Sequence, residues 1–293
     1  MLNYLEPQED GLPMRPSGAW AMEKLDYLQR YIDIFVTSMR NRPWRAMHYI
    51  DLFAGPGKCR TDDARSRIFL GSPLIAMKAP HPFSGYFFVD MAKDAIATLE
   101  KRCSSSPQTG RVQCFHGDSN VCVQDIVKRI SEVDQPFIDG QWHSLNLAFL
   151  DPEGLELHWE TVAALASLKK MDLIIHYPRM ALERVMPKVF QMEASSSVDS
   201  FFGSRDWRGI YKQWKGKDTG LHRQLIDYYK RGLQNLGYAE VLRDDETGDE
   251  PLMRNAQKRA PLYRLLFASK HPLGNEFWHQ VTRRDLHGQR RLL

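Results

Sequence analysis

Acidic residues recur where short apolar runs stop. Asp51 lies in Met47–Phe53 and opens Asp51-Leu52-Phe53-Ala54-Gly55-Pro56-Gly57. Asp90 closes Gly85–Asp90, Asp118 stands in Gly117-Asp118-Ser119-Asn120 after Arg111–Phe115, and Asp151-Pro152-Glu153-Gly154 follows Leu145–Leu150. Glycines in the first of these motifs let the backbone approach a ligand without a Cβ clash. A nicotinamide-type loop needs a third glycine three residues after the second, where Arg60 stands, and an acid roughly 20 residues on. A phosphate-binding loop needs Gly-Lys-Ser/Thr, which is absent. The remaining fit is a loop that cradles the amino-acid part of S-adenosyl-L-methionine. Phe53, Ala54, Gly55 and Gly57 would form the cradle, with Asp51 on the strand. Asp90, beside Met91, would accept the two ribose hydroxyls, because a carboxylate suits paired donors. Asp118 and Ser119 would read the adenine edge, or would simply cap the following helix.

The fourth motif suggests the reaction. Methyl transfer from a sulfonium is an in-line displacement, so alignment dominates catalysis. An exocyclic amine is a weak nucleophile because its lone pair is delocalised. The Asp151 carboxylate and the Pro152 carbonyl would accept its two N–H bonds, and Glu153 would take the proton. The alternative is a plain Asp-Pro-x-Gly turn after a strand. His176-Tyr177-Pro178, at the end of Met171–His176, would line a substrate pocket or form a buried structural pair. Cys59 sits in the glycine-rich loop as either a reactive or an incidental thiol. None of the four cysteines forms a Cys-x-x-Cys pair and no His pair has metal spacing, so no metal site is expected.

These groups must be held by elements that the pattern also reveals. Ala19–Met39 carries Met22, Leu25, Leu28, Ile32, Phe35, Val36 and Met39 at helical steps. Strand-sized runs then alternate with helical Ala92–Arg102, Asn120–Val133 and Trp159–Leu168. That alternation predicts a parallel sheet covered on both faces. After Pro178 it stops. Residues 179–237 read as a helical insertion ending in helix Leu221–Leu236, with Gly237 as its C-terminal stop. Within it, Trp207, Tyr211 and Trp214 are either a core-facing stripe or, with Arg208, Lys212 and Lys215, a stacking surface. Two late strands, Ala239–Arg243 and Leu262–Ala268, flank a long polar loop, Asp244–Pro261, and Asn275–Leu286 closes as a helix. The expected fold is α/β: a Rossmann-like, mostly parallel seven-stranded sheet. Its parts are an irregular lead-in and helix (1–45), a cofactor-binding core (46–178), the insertion (179–237) and closing strands with a basic helix (238–293).

Composition narrows the classes. The 293 residues are 43% hydrophobic and 26% charged, as in ordinary globular chains. No apolar run reaches membrane-spanning length, and the first ten residues lack a signal-peptide pattern, so a cytoplasmic protein with reduced thiols is expected. Net charge is only +4, but Pro251–Leu293 carries nine Lys and Arg against Glu276 and Asp285. That stretch is either a solvated basic face or a surface for nucleic-acid phosphates.

Asp51–Gly57, Gly71-Ser72-Pro73-Leu74, Phe88–Asp90, Asp118–Asn120, Asp151-Pro152-x-Gly154 and Leu265–Gly274 followed by Trp278 resemble the bacterial three-Cys-motif partner protein (TcmP) family over about Trp20–Arg283. That family is similar to class I S-adenosylmethionine-dependent methyltransferases. The resemblance implies the cofactor S-adenosyl-L-methionine, the product S-adenosyl-L-homocysteine, and a neighbouring three-cysteine protein resembling radical-S-adenosylmethionine enzymes as a partner. It adds Gly71, Ser72 and Lys24 to the candidate substrate pocket. Asp151-Pro152-Glu153-Gly154 resembles the Asp-Pro-Phe-Gly of tRNA guanosine-N2 methyltransferases, without the aromatic third residue. Asp51–Gly55 resembles cytosine-C5 DNA methyltransferases, but Asp151-Pro152 replaces their Pro-Cys nucleophile. The expected function is methyl transfer to a nitrogen of a nucleic acid or nucleotide-like substrate. The alternative is a methyltransferase-like binding partner of the three-cysteine protein without methyl transfer of its own.

Overall fold

The computed structural model describes residues 7–135, 138–214, 220–238, 249–255 and 260–283. The central strands are β2 (Met47–Asp51), β5 (Gly85–Asp90), β7 (Leu145–Leu150) and β8 (Met171–Tyr177). They are buried along almost their whole length, as strands covered on both faces must be. With β6 (Val112–His116), β9 (Leu252–Arg254) and β10 (Pro261–Ala268) they form one seven-stranded sheet, ordered β6-β5-β2-β7-β8-β10-β9. The first five are mutually parallel, and β10 runs antiparallel to both β8 and β9. Five parallel strands closed by an antiparallel pair are the expected layout, and the strand order switches sides between β2 and β7, where an open α/β sheet has its ligand crevice.

Alternation along the strands makes two cores. Tyr49, Phe88, Phe149, Ile174 and Phe267 pack with α1 (Trp20–Met39), α2 (Ser72–Met77), α3 (Lys93–Ser104) and α10 (Pro272–Thr282). Ile50, Val89, Leu150, Ile175 and Leu266 face the other way, against α4 (Ser119–Val133), α5 (Trp159–Ala166), α6 (Arg179–Val189), α7 (Ser197–Phe202), α8 (Trp207–Trp214) and α9 (Leu221–Asn235). Trp207 and Tyr211 are buried there, so the aromatic stripe faces the core, and Arg208 pairs with Asp199. Gly237 ends α9 at φ +92°, a left-handed position that favours glycine.

Two local features differ from the expectation. The lead-in is not irregular throughout: Arg15–Ser17 forms β1, which pairs in parallel with β3 (Lys58–Thr61), itself antiparallel to β4 (Ile68–Leu70). The polar loop is not strandless, because β9 lies inside it and buries Met253. Its three residues are too short to show a period. The expected strand Ala239–Arg243 lies outside the described residues, as does the end of the helix expected to reach Leu286.

Candidate active site

Register aligns the carboxyl ends of the parallel strands. Asp51 is level with Phe88 on β5 and Phe149 on β7, Asp90 with His116, and Leu150 with Ile175. Asp151 and His176 therefore meet just beyond the sheet edge. His176 Nδ1 lies 2.9 Å from Asp151 Oδ1, and Lys24, from the middle of the first α1 turns, forms an ion pair with Oδ2. Burial pushes the Asp151 carboxyl up, but the Lys24 charge and the His176 hydrogen bond more than offset it and hold Asp151 below the usual carboxylate range. Burial, against the pull of Asp151, pushes His176 below its ordinary value. The imidazole is thus neutral near pH 7, with Nδ1–H donated to Asp151 and Nε2 left as an acceptor. The Tyr263 ring stacks on His176 at 4.1 Å and lies under the Lys24 ammonium at 5.3 Å.

These groups line a cavity of about 360 Å³, within the usual range for small-molecule sites. Phe53, Ala54, Gly55, Gly57, Gly71, Ser72, Pro152 and Glu153 line it as well. Glu153 is turned outward, with its side chain 76% exposed and paired to Arg15. Gly55 has φ +60°, and a Cβ placed there would meet nothing closer than Arg15, at 3.8 Å. A ligand thus has room above the loop. Gly57 serves packing instead: at φ +89°, its Cβ would lie 2.9 Å from Leu99 Cδ1.

Other expected site residues lie apart from the cavity. Asp51 is fully buried beneath it, accepting from the Phe53 N–H at 3.2 Å and from the Ser72 hydroxyl. Burial, aided by the Asp151 and Asp90 charges, pushes its carboxyl up to about 7. Asp51 therefore shapes the loop from below. Asp90 accepts from the Gly55 N–H at 2.7 Å and the Ala92 N–H at 2.8 Å, which ties β5 to the glycine loop. Asp118 caps α4 by accepting from the Asn120 N–H at 2.8 Å, and Ser119 is the buried first residue of that helix. Met91 is exposed. Tyr177 points into the opposite core, 3.0 Å from His222 Nδ1. Cys59 lines the cavity, but burial pushes its thiol up to about 11, so it is no reactive thiolate at neutral pH.

Sequence reasoning missed Arg15, Trp20, Arg184 and Tyr263, which also line the cavity. Arg15 and Trp20 come from the segment read as lead-in and helix start, where no local pattern points to a site. Tyr263 lies in an expected strand, and its alternation with Leu262 gave only a face. Of the basic C-terminal residues, Lys270 donates to the Ala166 and Leu168 carbonyls and Arg264 to the Glu250 carbonyl. Lys258, Arg259, Arg284, Arg290 and Arg291 lie outside the described residues. Among the described residues, no group of three His, Cys, Asp or Glu could hold a metal ion, and no helix is long and apolar enough to cross a membrane.

No protein-family model matches this sequence. No curated protein matches it either. Solved structures do resemble the fold. A Legionella pneumophila protein of family DUF519 is 10% identical, with 90% of this chain and 91% of that one covered and a TM-score of 0.47. An S-adenosylmethionine-dependent methyltransferase from Geobacter sulfurreducens, solved with S-adenosyl-L-homocysteine, is 13% identical over 82% of this chain and 89% of that one, with a TM-score of 0.32. With TM-scores below 0.5, these likenesses carry no inference about this chain.

Proposed function

We propose that the chain is an S-adenosyl-L-methionine-dependent methyltransferase acting on a nitrogen of a nucleic acid or nucleotide-like molecule. The observation that carries this reading is the shared cavity in which the glycine loop after β2 faces the Asp151–His176 pair after β7 and β8. The open space above Gly55 fits the amino-acid part of the cofactor, and Asp90 braces that loop from behind by holding the Gly55 N–H. The bound cofactor supplies an electrophilic methyl group. Everything else is done by groups of this chain. Lys24 keeps Asp151 ionised, and each carboxylate oxygen retains a lone pair for an incoming N–H. Asp151 and the Pro152 carbonyl orient the acceptor nitrogen and stabilise its developing positive charge. His176 Nε2 takes the released proton, a role for which it is better placed than the outward Glu153. Trp20 and Tyr263 give the cavity aromatic wall, and the exposed Arg184 stands at its rim for a phosphate.

Calorimetry with S-adenosyl-L-methionine and S-adenosyl-L-homocysteine tests the first half. Absence of binding by either at several hundred micromolar overturns it. Transfer of a tritiated methyl group to total RNA, genomic DNA and a peptide pool tests the acceptor. Label in nucleic acid that falls roughly 100-fold in Asp151→Asn is expected, the size seen when one charge-stabilising group is removed. Label confined to peptide overturns the nucleic-acid reading.

A further inference from the structure

A short N-terminal strap is fastened across the glycine loop. Its fastener is Arg102, whose guanidinium side chain is 3% exposed. It donates to both Asp10 oxygens at 2.9 Å, to the carbonyls of Leu12 at 3.2 Å and Pro13 at 2.9 Å, and to the Pro56 carbonyl inside the loop. Lys58 adds bonds to the Gln8 carbonyl and Asp10. The strap then runs as β1 alongside β3, with Arg15 level with Cys59.

That register sets Arg15 over Gly55, with Nη1 3.8 Å from where a glycine Cβ would be. Three cations line the cavity. Lys24 is committed to Asp151, and Arg184 stands on exposed α6. Of these three, Arg15 adjoins the glycine loop. Its side chain is 34% exposed and its carboxylate partner among the described residues, Glu153, is 76% exposed. An ion pair that open contributes little, so another carboxylate displaces it readily. Asp90 and Arg15 flank Gly55, the acid against its N–H and the base over its Cα face.

We propose that Arg15 anchors the carboxylate of the cofactor's amino-acid tail, releasing Glu153 as the ligand enters. This rests on the proposed cofactor. It gives the cavity a direction, with the tail carboxylate beside Gly55 under the strap. A planar guanidinium can take that carboxylate in bidentate fashion.

Calorimetry with S-adenosyl-L-methionine and its decarboxylated analogue, on the full chain, tests it. Wild type should prefer the carboxylated ligand about 10- to 100-fold, the range for a hydrogen-bonded charge pair. Arg15→Gln should lose that factor for S-adenosyl-L-methionine and leave the analogue's affinity unchanged. Arg15→Lys should fall between, with thermal melts confirming that each variant is folded. Equal losses for both ligands, or none for either, overturn the anchor while leaving the cofactor reading intact. Wild type that binds neither ligand overturns both.

Discussion

Lys24 and His176 meet at the Asp151 carboxylate at the edge of the sheet, and both help to hold it ionised. The Lys24 ammonium opposes protonation of His176, in the same direction as burial. Lys24→Met should therefore raise the His176 pKa, while wild type titrates below the ordinary 6.5; NMR of the imidazole carbons across pH reads both values. An unchanged pKa would show that the ammonium does not govern the dyad. The same variant leaves a nearly buried carboxylate without its cation, at a cost of about 3–5 kcal/mol in stability by denaturant titration. Asp151 was legible as an acid ending a strand. Lys24 and His176 were pocket candidates, but their pairing with Asp151 was not legible, because they lie 127 and 25 positions away and proximity of that kind leaves no local pattern. One trace did exist: Lys24 follows Ala21 by three positions and precedes Leu28 by four, placing a lysine on the apolar stripe of α1.

At the scale of elements, the strap and the glycine loop act as one piece. Arg102→Gln removes the guanidinium that joins them. Its backbone amides in β1 and β3 should exchange with deuterium faster than in wild type, while those of β7 stay protected. Uniform acceleration would mean global destabilisation instead. Gly57→Ala meets both a left-handed backbone and the Leu99 and Leu74 side chains, so a loss of about 2–4 kcal/mol is expected from denaturant midpoints. The long elements were legible because their periods run for many residues: β5 and β7 have the expected bounds, and α1 and α4 start within a residue of them. β1 and β9 escaped because each has three residues and owes its existence to a partner strand rather than to its own pattern.

Across the whole molecule, stability is linked to protons through carboxyls buried beneath the sheet edges. Burial pushes Asp51 up to about 7 and Asp172, 2.7 Å from the Tyr31 hydroxyl, up to about 6. The folded chain keeps protons there that the unfolded chain releases near the ordinary 3.8. Stability contributed by these groups is full below pH 4 and is lost as pH rises through about 6 and 7. Asp51→Asn removes one of them, so its Tm relative to wild type should climb between pH 4 and pH 8. A constant offset would assign the pH dependence elsewhere. The parallel sheet was legible from the strand–helix alternation, whereas this linkage needed the depth at which Asp51 sits.

The antiparallel β10 fills the place between β8 and β9. A ribosome that has just released β8 has therefore produced a sheet with one raw flank, and that flank stays open until residues 261–268 emerge. Through the making of more than eighty residues, the nascent chain carries an unpaired hydrophobic border, and chaperone capture or self-association during synthesis would fall on the free side of β8.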